Sequence, residues 1–392
     1  MVAPVTRAKP FARLLDVTVH PLLACNLGCG YCYQNAERAS SPVVPRKSGG
    51  EWAHRVASLF RDSEHRDIGI VITGGEPLLM GETWYREFFE GTTAALVSLG
   101  KEVNYTLQTN ASLMPGPELE QLFRRYRVRF SVHYDGLVDG DELKSHDRKR
   151  VIENLGAAGF PLTALVVGTP PALDKLPETL DFFHRVGVSQ YQLNAVGGEG
   201  RGRMDHNPPP RRRAMAEFMA GFHAWKNGFI PYEAGICWKF VEFCRVECTD
   251  HPRPWSEPCR DCSGGEAFLT IYPDGAVYPC GFFFGLSGPS FFIDELERLD
   301  LATVGRLHRA CKHVDDPLFA ERCPSCEARS FCRGYCAMSV RRGNFGTMCE
   351  AQLELHSIMR ENPAVATAIA NAFLEFKERE HAQAAHDASL GG

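Results

Sequence analysis

CNLGCGYCY, residues 25–33, sets Cys25, Cys29 and Cys32 in a C-x3-C-x2-C spacing directly after a short apolar run, LLDVTV (14–19). No cysteine follows until Cys237. Iron–sulfur cubes are held by cysteine thiolates, normally four, so three thiols on one loop leave one iron of such a cube without a protein donor. Gly28 and Gly30 let the backbone turn tightly there and aim amides at bound sulfide. Zinc is the weaker reading, because it needs a fourth Cys or His and the nearest, His20, stands before the loop.

Outside that loop the composition sets bounds. The chain has 392 residues with 15 Cys, 36 Gly and 25 Pro. At about 150 residues per domain, that length suits two or three domains, or one barrel with an appendage. A hydrophobic content of 44% with 23% charged residues is ordinary for a globular protein. The net charge of −5 argues against a general nucleic-acid or membrane-surface role. Arg13 and Asp16 interrupt the N-terminal apolar run, and no stretch approaches the ~18 apolar residues of a membrane span. A cytoplasmic location is expected, and in that reducing compartment cysteines read as metal ligands rather than disulfides.

The cysteine-free stretch alternates between strand and helix patterns. Strands are expected at 14–19, 67–73, 103–109, 128–134, 162–168 and 189–196, with helical patterns between them, several closing on glycine. Six βα-type units imply a parallel sheet flanked by helices. A doubly wound sheet and an open barrel both fit the rhythm. In either case ligands bind at the carboxyl ends of the strands, and the unusual stretches all fall there: CNLGCGYCY after the first strand, GGEP (74–77) after the second, Asn110 after the third, Asp135 and Gly136 after the fourth, GGEGRG (197–202) after the sixth.

Cys25, Cys29 and Cys32, with Tyr31 ahead of the last cysteine and GGEP after the second strand, resemble the radical S-adenosylmethionine superfamily over roughly residues 14 to 200. The resemblance implies a partial (β/α)6 TIM-like barrel, so an α/β fold. It implies a [4Fe–4S] cluster on the three cysteines, whose open iron chelates S-adenosylmethionine. Reductive cleavage then gives a 5′-deoxyadenosyl radical that abstracts a substrate hydrogen. Gly74, Gly75 and Glu76 would receive the methionine amino end, and Tyr31 would lie against the adenine. The family places a serine before Asp-Gly to hold the ribose; in SVHYDG that position falls to His133, with Ser131 on the same strand face. Arg150, in HDRKR, resembles a family arginine that reaches the carboxylate, with a solvated helix charge as the alternative.

The second cysteine group is denser. EAFLTIYPDGAVYPC (266–280) has a hairpin pattern with a Pro-Asp-Gly turn. CPSCEARSFCRGYC supplies Cys323, Cys326, Cys332 and Cys336, and Cys349 follows. This pattern resembles the SPASM extension of the superfamily over roughly 259 to 349. The resemblance implies one auxiliary [4Fe–4S] cluster on Cys262, Cys280 and Cys336 with Cys259 as fourth ligand, and another on Cys323, Cys326, Cys332 and Cys349: three clusters in all. Cys237, Cys244, Cys248 and Cys311 are left over; Cys244 and Cys248, on one face of a helical pattern, could replace Cys259 as ligand or bind something further, but the favoured reading is buried, hydrophobe-like thiols.

The organisation expected is an arm over 1–13, the barrel over 14–235, a cysteine-containing bridge over 236–258, the SPASM domain over 259–350, and a C-terminal helix with a tail over 351–392. The resemblance implies modification of a ribosomal precursor peptide, by crosslinking, epimerisation or oxidation. The rival is dehydrogenation or epimerisation of a small molecule such as a carbohydrate. A sulfatase-maturing role is less favoured, because Gly281 stands where that branch has an Asp. An external flavodoxin- or ferredoxin-type electron donor is expected. Only about a dozen residues precede the first strand, which suggests a separate leader-binding protein or a substrate without a leader. PPPRRR (208–213) and Phe282, Phe283 and Phe284 are loose candidates for substrate contacts, with a solvated helix start and core packing as their plain readings.

Overall fold

The strands form because β-branched and aromatic residues alternate with polar ones, and each helix supplies an apolar stripe to cover them. In the computed structural model, residues 11–32, 34, 47–135, 142–196, 207–228, 234–247, 262, 264–283, 288–311, 321–332 and 345–390 are described. The strands are β1 (Asp16–Val19), β2 (Asp67–Ile72), β3 (Glu102–Thr109), β4 (Arg129–His133), β5 (Leu162–Val167) and β6 (Val188–Asn194). Between them run α1 (Gly49–Leu59), α2 (Glu82–Ser98), α3 (Pro117–Arg125), α4 (Glu142–Ala157) and α5 (Leu176–Arg185). Helix α1 begins on a reciprocal cap: Glu51 N donates to Ser48 Oγ at 3.1 Å and Ser48 N to the Glu51 carboxylate at 2.8 Å.

The first six strands pair in parallel and in chain order, β1-β2-β3-β4-β5-β6. A doubly wound sheet reverses its strand order at a switch point, and this one does not. The arrangement is the barrel-like alternative that periodicity left open.

Strand register separates two faces. Val19, Ile72, Leu107, Val132, Ala164 and Leu193 belong to the buried apolar side, at 0–1% exposure. On the other side, registered pairs bring together Thr18, Val71 and Thr106, then Gln108, Ser131 and Thr163, then His133, Leu165 and Gln192. In parallel strands registered partners share a face, so this face is a mostly polar trough. Ser131 and His133 lie on it together.

The second cysteine region joins the same sheet. Strands β7 (Phe268–Ile271) and β8 (Ala276–Tyr278) form the antiparallel hairpin expected at 266–280, and β9 (Phe291–Phe292) pairs with β8. β7 pairs in parallel with β1, from Asp16↔Phe268 to Val19↔Ile271. The sheet therefore has nine strands, ending β1-β7-β8-β9. Sequence patterning found the hairpin but not this docking, because strand pairing between segments about 250 residues apart leaves no local signal.

Helices α6 (Pro210–Asn227), α7 (Ala234–Glu247), α8 (Leu301–Ala310), α9 (Phe345–Glu361) and α10 (Pro363–Leu390) complete the chain. α9 packs on α6, and α10 on α7. One apolar core runs from the barrel through Phe240, Leu355, Met359 and Phe373. The C-terminal helix thus covers α6 and α7. Among the described residues, no helix is long and apolar enough to cross a membrane.

The three arginines of PPPRRR are all paired, two on the exposed helix surface and one turned inward. Arg211 pairs with Glu354, and Arg212 with Asp174. Arg213 is buried: Nε donates to Glu217 at 2.9 Å, and its Nη atoms donate to the Asn194 and Leu193 carbonyls at 3.1 and 2.7 Å. Lys239 Nζ reaches the other Glu217 oxygen at 2.8 Å. Burial alone would raise the Glu217 carboxyl, but Lys239 and Arg213 outweigh it and hold it down at about 2. The triad clamps α6 and α7 onto the end of β6.

Arg213→Ala strands a buried carboxylate with one partner, and we expect a loss of about 3–5 kcal/mol in denaturant unfolding. The pH dependence has a definite sign. A carboxyl held below its ordinary value stabilises the fold above about pH 4.5 and loses that contribution as pH falls toward about 2. Unfolding midpoints across that range are expected to fall more steeply in the wild type than in Glu217→Gln.

Candidate functional site

Among the described residues, the cysteine loop, the GGE segment, Asn110 and Asp135 meet at the carboxyl rim of the sheet, and the glycines explain how the first two come so close. Gly74 has φ +125°, and a Cβ on it would fall on the Leu22 carbonyl. A Cβ on Gly75 would fall on the Ala24 carbonyl. Gly75 N donates to Leu22 O at 3.1 Å and Glu76 N to Ala24 O at 2.9 Å. The GGE segment is thus a backbone-to-backbone cradle for the chain entering the cysteine loop, and any side chain would push the two apart.

Cys25, Cys29 and Cys32 are half-buried on that loop, and none is in a disulfide. Leu27 N and Asn110 Nδ2 approach Cys25 Sγ as donors at 3.4 and 3.5 Å. Burial pushes the Cys29 thiol up, and the nearby Arg148 guanidinium opposes that shift. Three soft donors on a glycine-containing loop, with amide and cationic groups facing them, fit a cluster held by three cysteines. They supply no complete tetrahedral set for zinc. His20 does not provide the missing ligand: its Nδ1 meets Gln34 Nε2 at 3.1 Å, its ring stacks on Tyr272 at 4.3 Å, and burial holds its pKa at about 3.

Glu76 is fully buried, and both carboxylate oxygens are engaged. They accept from Leu78 N at 3.0 Å, Asn110 N at 2.9 Å and Thr109 Oγ1 at 2.9 and 3.0 Å. Glu76 therefore ties the ends of β2 and β3 together, and its carboxylate is not presented to an ammonium as the resemblance suggested. Burial raises this carboxyl against the pull of those donors.

Tyr31 likewise has a structural partner: its hydroxyl donates to the buried Asp135 carboxylate, whose other oxygen accepts from Val167 N at 2.6 Å. Burial and the Asp135 charge push the phenol far above its usual value, so it stays a donor. The expected adenine contact is thus left to the ring and backbone of Tyr31, while the hydroxyl locks the cysteine loop to β4 and β5. His133 Nε2 meets Gln108 Nε2 at 3.2 Å on the trough face, and burial lowers its pKa, favouring neutral imidazole.

Arg150 is not brought to the rim. It is exposed on α4 and pairs with Asp147 at 3.3 Å. Arg148 is brought there instead: Nε donates to Asn110 O at 2.8 Å, Nη2 donates to His133 O, and its guanidinium lies 5.7 Å from the Tyr134 ring centre. Helical phase carried the signal. Arg148 is three, four and seven residues before the buried Val151, Ile152 and Leu155, whereas Arg150 shares the exposed side with Glu153.

In the second group, Cys262 and Cys280 lie beside Cys311. Burial raises the Cys323 and Cys349 thiols, and Cys326 acts electrostatically on both, so these three are neighbours. Cys332 packs beside Cys326 against the main core. Cluster thiolates bind separate irons and need not converge on a point; among the described residues no Cys, His, Asp or Glu set converges as around a single ion. Cys237 is buried in the main core and its thiol pushed up to about 12 by burial. Cys244 is half-buried near Thr367 Oγ1, at 3.7 Å. Phe283 is buried against Cys311. Cys248, Cys259, Cys336, Gly136, Phe284 and residues 197–202 lie outside the described residues.

A family model, the radical SAM superfamily, matches residues 19–183. Among solved structures, anSMEcpe with bound AdoMet superposes with a TM-score of 0.68 at 15% identity, covering 91% of this chain and 96% of that one. Streptococcus suis SuiB bound to precursor peptide SuiA gives a TM-score of 0.58 at 16% identity, over 84% of this chain and 73% of that one. A serine-type anaerobic sulfatase-maturating enzyme of Klebsiella aerogenes is 20% identical over 348 residues, 83% of this chain and 80% of that protein. At these identities the structural likenesses speak for the fold. The stretch matched by the radical SAM model, residues 19–183, contains both the three-cysteine loop and its GGE cradle, so it is over this stretch that the chain is similar to that superfamily.

Proposed function

We propose that this protein is a radical SAM enzyme of the SPASM type that modifies a peptide after its synthesis. The observation that carries the reading is the three-thiol loop at the mouth of a polar trough, with a second cysteine-bearing unit on the adjacent sheet edge. When bound, the N-terminal cluster and S-adenosylmethionine supply a 5′-deoxyadenosyl radical that takes a hydrogen atom from the substrate. The chain's own residues hold and shield that site. Asn110 Nδ2 and Leu27 N hold the Cys25 sulfur in place, Glu76 and Asp135 fix the rim geometry, and the trough face with Gln108, Ser131 and His133 offers hydrogen bonds to the nucleoside and the substrate. Arg148 takes the carboxylate-binding role that the resemblance gave Arg150.

A peptide substrate is supported by the likeness to SuiB with its precursor peptide and to anSMEcpe with AdoMet and the Cp18Cys peptide. The sulfatase-maturing reading draws on the Klebsiella relative. Against it, Gly281 has no carboxylate to accept a proton, and its carbonyl accepts from Tyr272 Oη at 3.2 Å. The reductant is an external flavodoxin- or ferredoxin-type protein.

In the anaerobically reconstituted, reduced holoprotein, adding S-adenosylmethionine is expected to shift the electron paramagnetic resonance spectrum of one cluster and release 5′-deoxyadenosine. A spectrum unmoved by the sulfonium overturns the proposal. Arg148→Ala is expected to weaken S-adenosylmethionine binding by about tenfold or more, ~1.4 kcal/mol, in a titration of that spectral shift. Arg150→Ala is expected to leave the titration unchanged. Incubation with short peptides encoded beside this gene, read by mass spectrometry, tests the substrate class.

A further inference from the structure

Cys311 has no place in the ligand sets that the SPASM resemblance implies, yet the fold delivers it to one of them. It is the residue that ends α8. It is 3% exposed, and it belongs with Phe283 and Ala310 to a small buried cluster separate from the main core, against which Cys262, Tyr278 and Cys280 pack. Three thiols from three separate segments therefore meet at one small buried cluster.

The approach is built, not incidental. A Cβ on Gly264 would stand 2.5 Å from Cys311 Sγ, and one on Gly265 would fall on the Leu307 carbonyl of α8. Gly265 also adopts φ +81°, and its N–H is shared between the Phe268 and Pro279 carbonyls at 2.8 and 3.0 Å. This glycine pair lets the last turn of α8 lie directly on the segment that carries Cys262 and on the base of the hairpin that carries Cys280. A cysteine merely filling apolar space needs no such clearance; Cys237 fills the main core without it.

We propose that Cys311 is a thiolate ligand of the first auxiliary cluster, beside Cys262 and Cys280, in the position that the resemblance gave Cys259. The assignment rests on the SPASM reading above and names a ligand that reading does not contain. On ligation the three thiols each lose a proton to solvent and bind separate irons as thiolates, with no change of oxidation state.

The test compares anaerobically reconstituted wild type, Cys311→Ala, Cys259→Ala and Cys237→Ala by iron content and Mössbauer spectra. The wild type is expected to hold about twelve irons, and Cys311→Ala about eight, from loss of one cube. Cys259→Ala and Cys237→Ala are expected to match the wild type. The spectral response of the N-terminal cluster to S-adenosylmethionine is expected to survive in Cys311→Ala, which marks the loss as local. Should that variant fail to fold, Cys311→Ser keeps the volume and an oxygen donor, and is expected to retain iron while shifting the spectrum of one cluster. Full iron with an unaltered spectrum in the Cys311 variants, or loss of a cube in Cys259→Ala, overturns the assignment. A wild type holding only about four irons overturns the auxiliary-cluster reading, and this ligand with it.

Discussion

The parallel pairing of β7 with β1 is the constraint on which the rest of the molecule depends. β1 leads straight into the cysteine loop at its carboxyl end. β7 runs beside it in the same direction and leads, through the hairpin, to Cys280. Four registered residue pairs hold the two thiol-bearing regions as parts of one sheet. Side chains reinforce the bond: His20, just past β1, stacks on Tyr272, just past β7, and Tyr272 Oη donates to Gly281 next to Cys280. Gln34, two residues beyond Cys32, holds the other side of His20. Backbone and side chains thus give an unbroken packed connection between the two regions.

A second theme is the use of buried carboxylates as ties. Parallel strands end without turns between neighbours, so their carboxyl ends would splay unless something bridges them. Glu76 bridges β2 to β3, and Asp135 bridges β4 to β5 and to Tyr31. Each accepts hydrogen bonds from backbone amides and hydroxyls, which is what makes burial of a carboxylate tolerable. Arg213 and Glu217 do the equivalent work at β6. The rim is stiff because its acids are already committed, and that stiffness is what positions a labile cofactor.

Much of this was legible beforehand. Alternation of apolar residues located all six barrel strands and the hairpin, since strand existence is a local property. The C-x3-C-x2-C spacing and GGEP named the rim loops because chemistry at such sites demands fixed residue types. What stayed hidden depended on distant partners. Docking of β7 on β1 has no local signature, and neither does the meeting of Cys311 with Cys262 and Cys280. The arginine assignment failed for a different reason. Arg148 and Arg150 differ by about 200° of helical rotation, and a motif match without the phase of α4 could not separate them. Glu76 and Tyr31 lie at the rim, and the polar atoms of their side chains serve neighbouring strands.

Strand pairing is discrete, and that has a consequence for the β1–β7 junction. A ladder can slip only by whole residues, about 3.3 Å at a time, and a single step turns every side chain to the opposite face. Spacing between the two cysteine regions is therefore digital, not elastic. Length changes in the chain linking β6 to β7 leave it untouched, much as the cable between two cogs does not alter how their teeth mesh. The linking segment can therefore change length while the gap between the two cysteine-bearing regions stays locked.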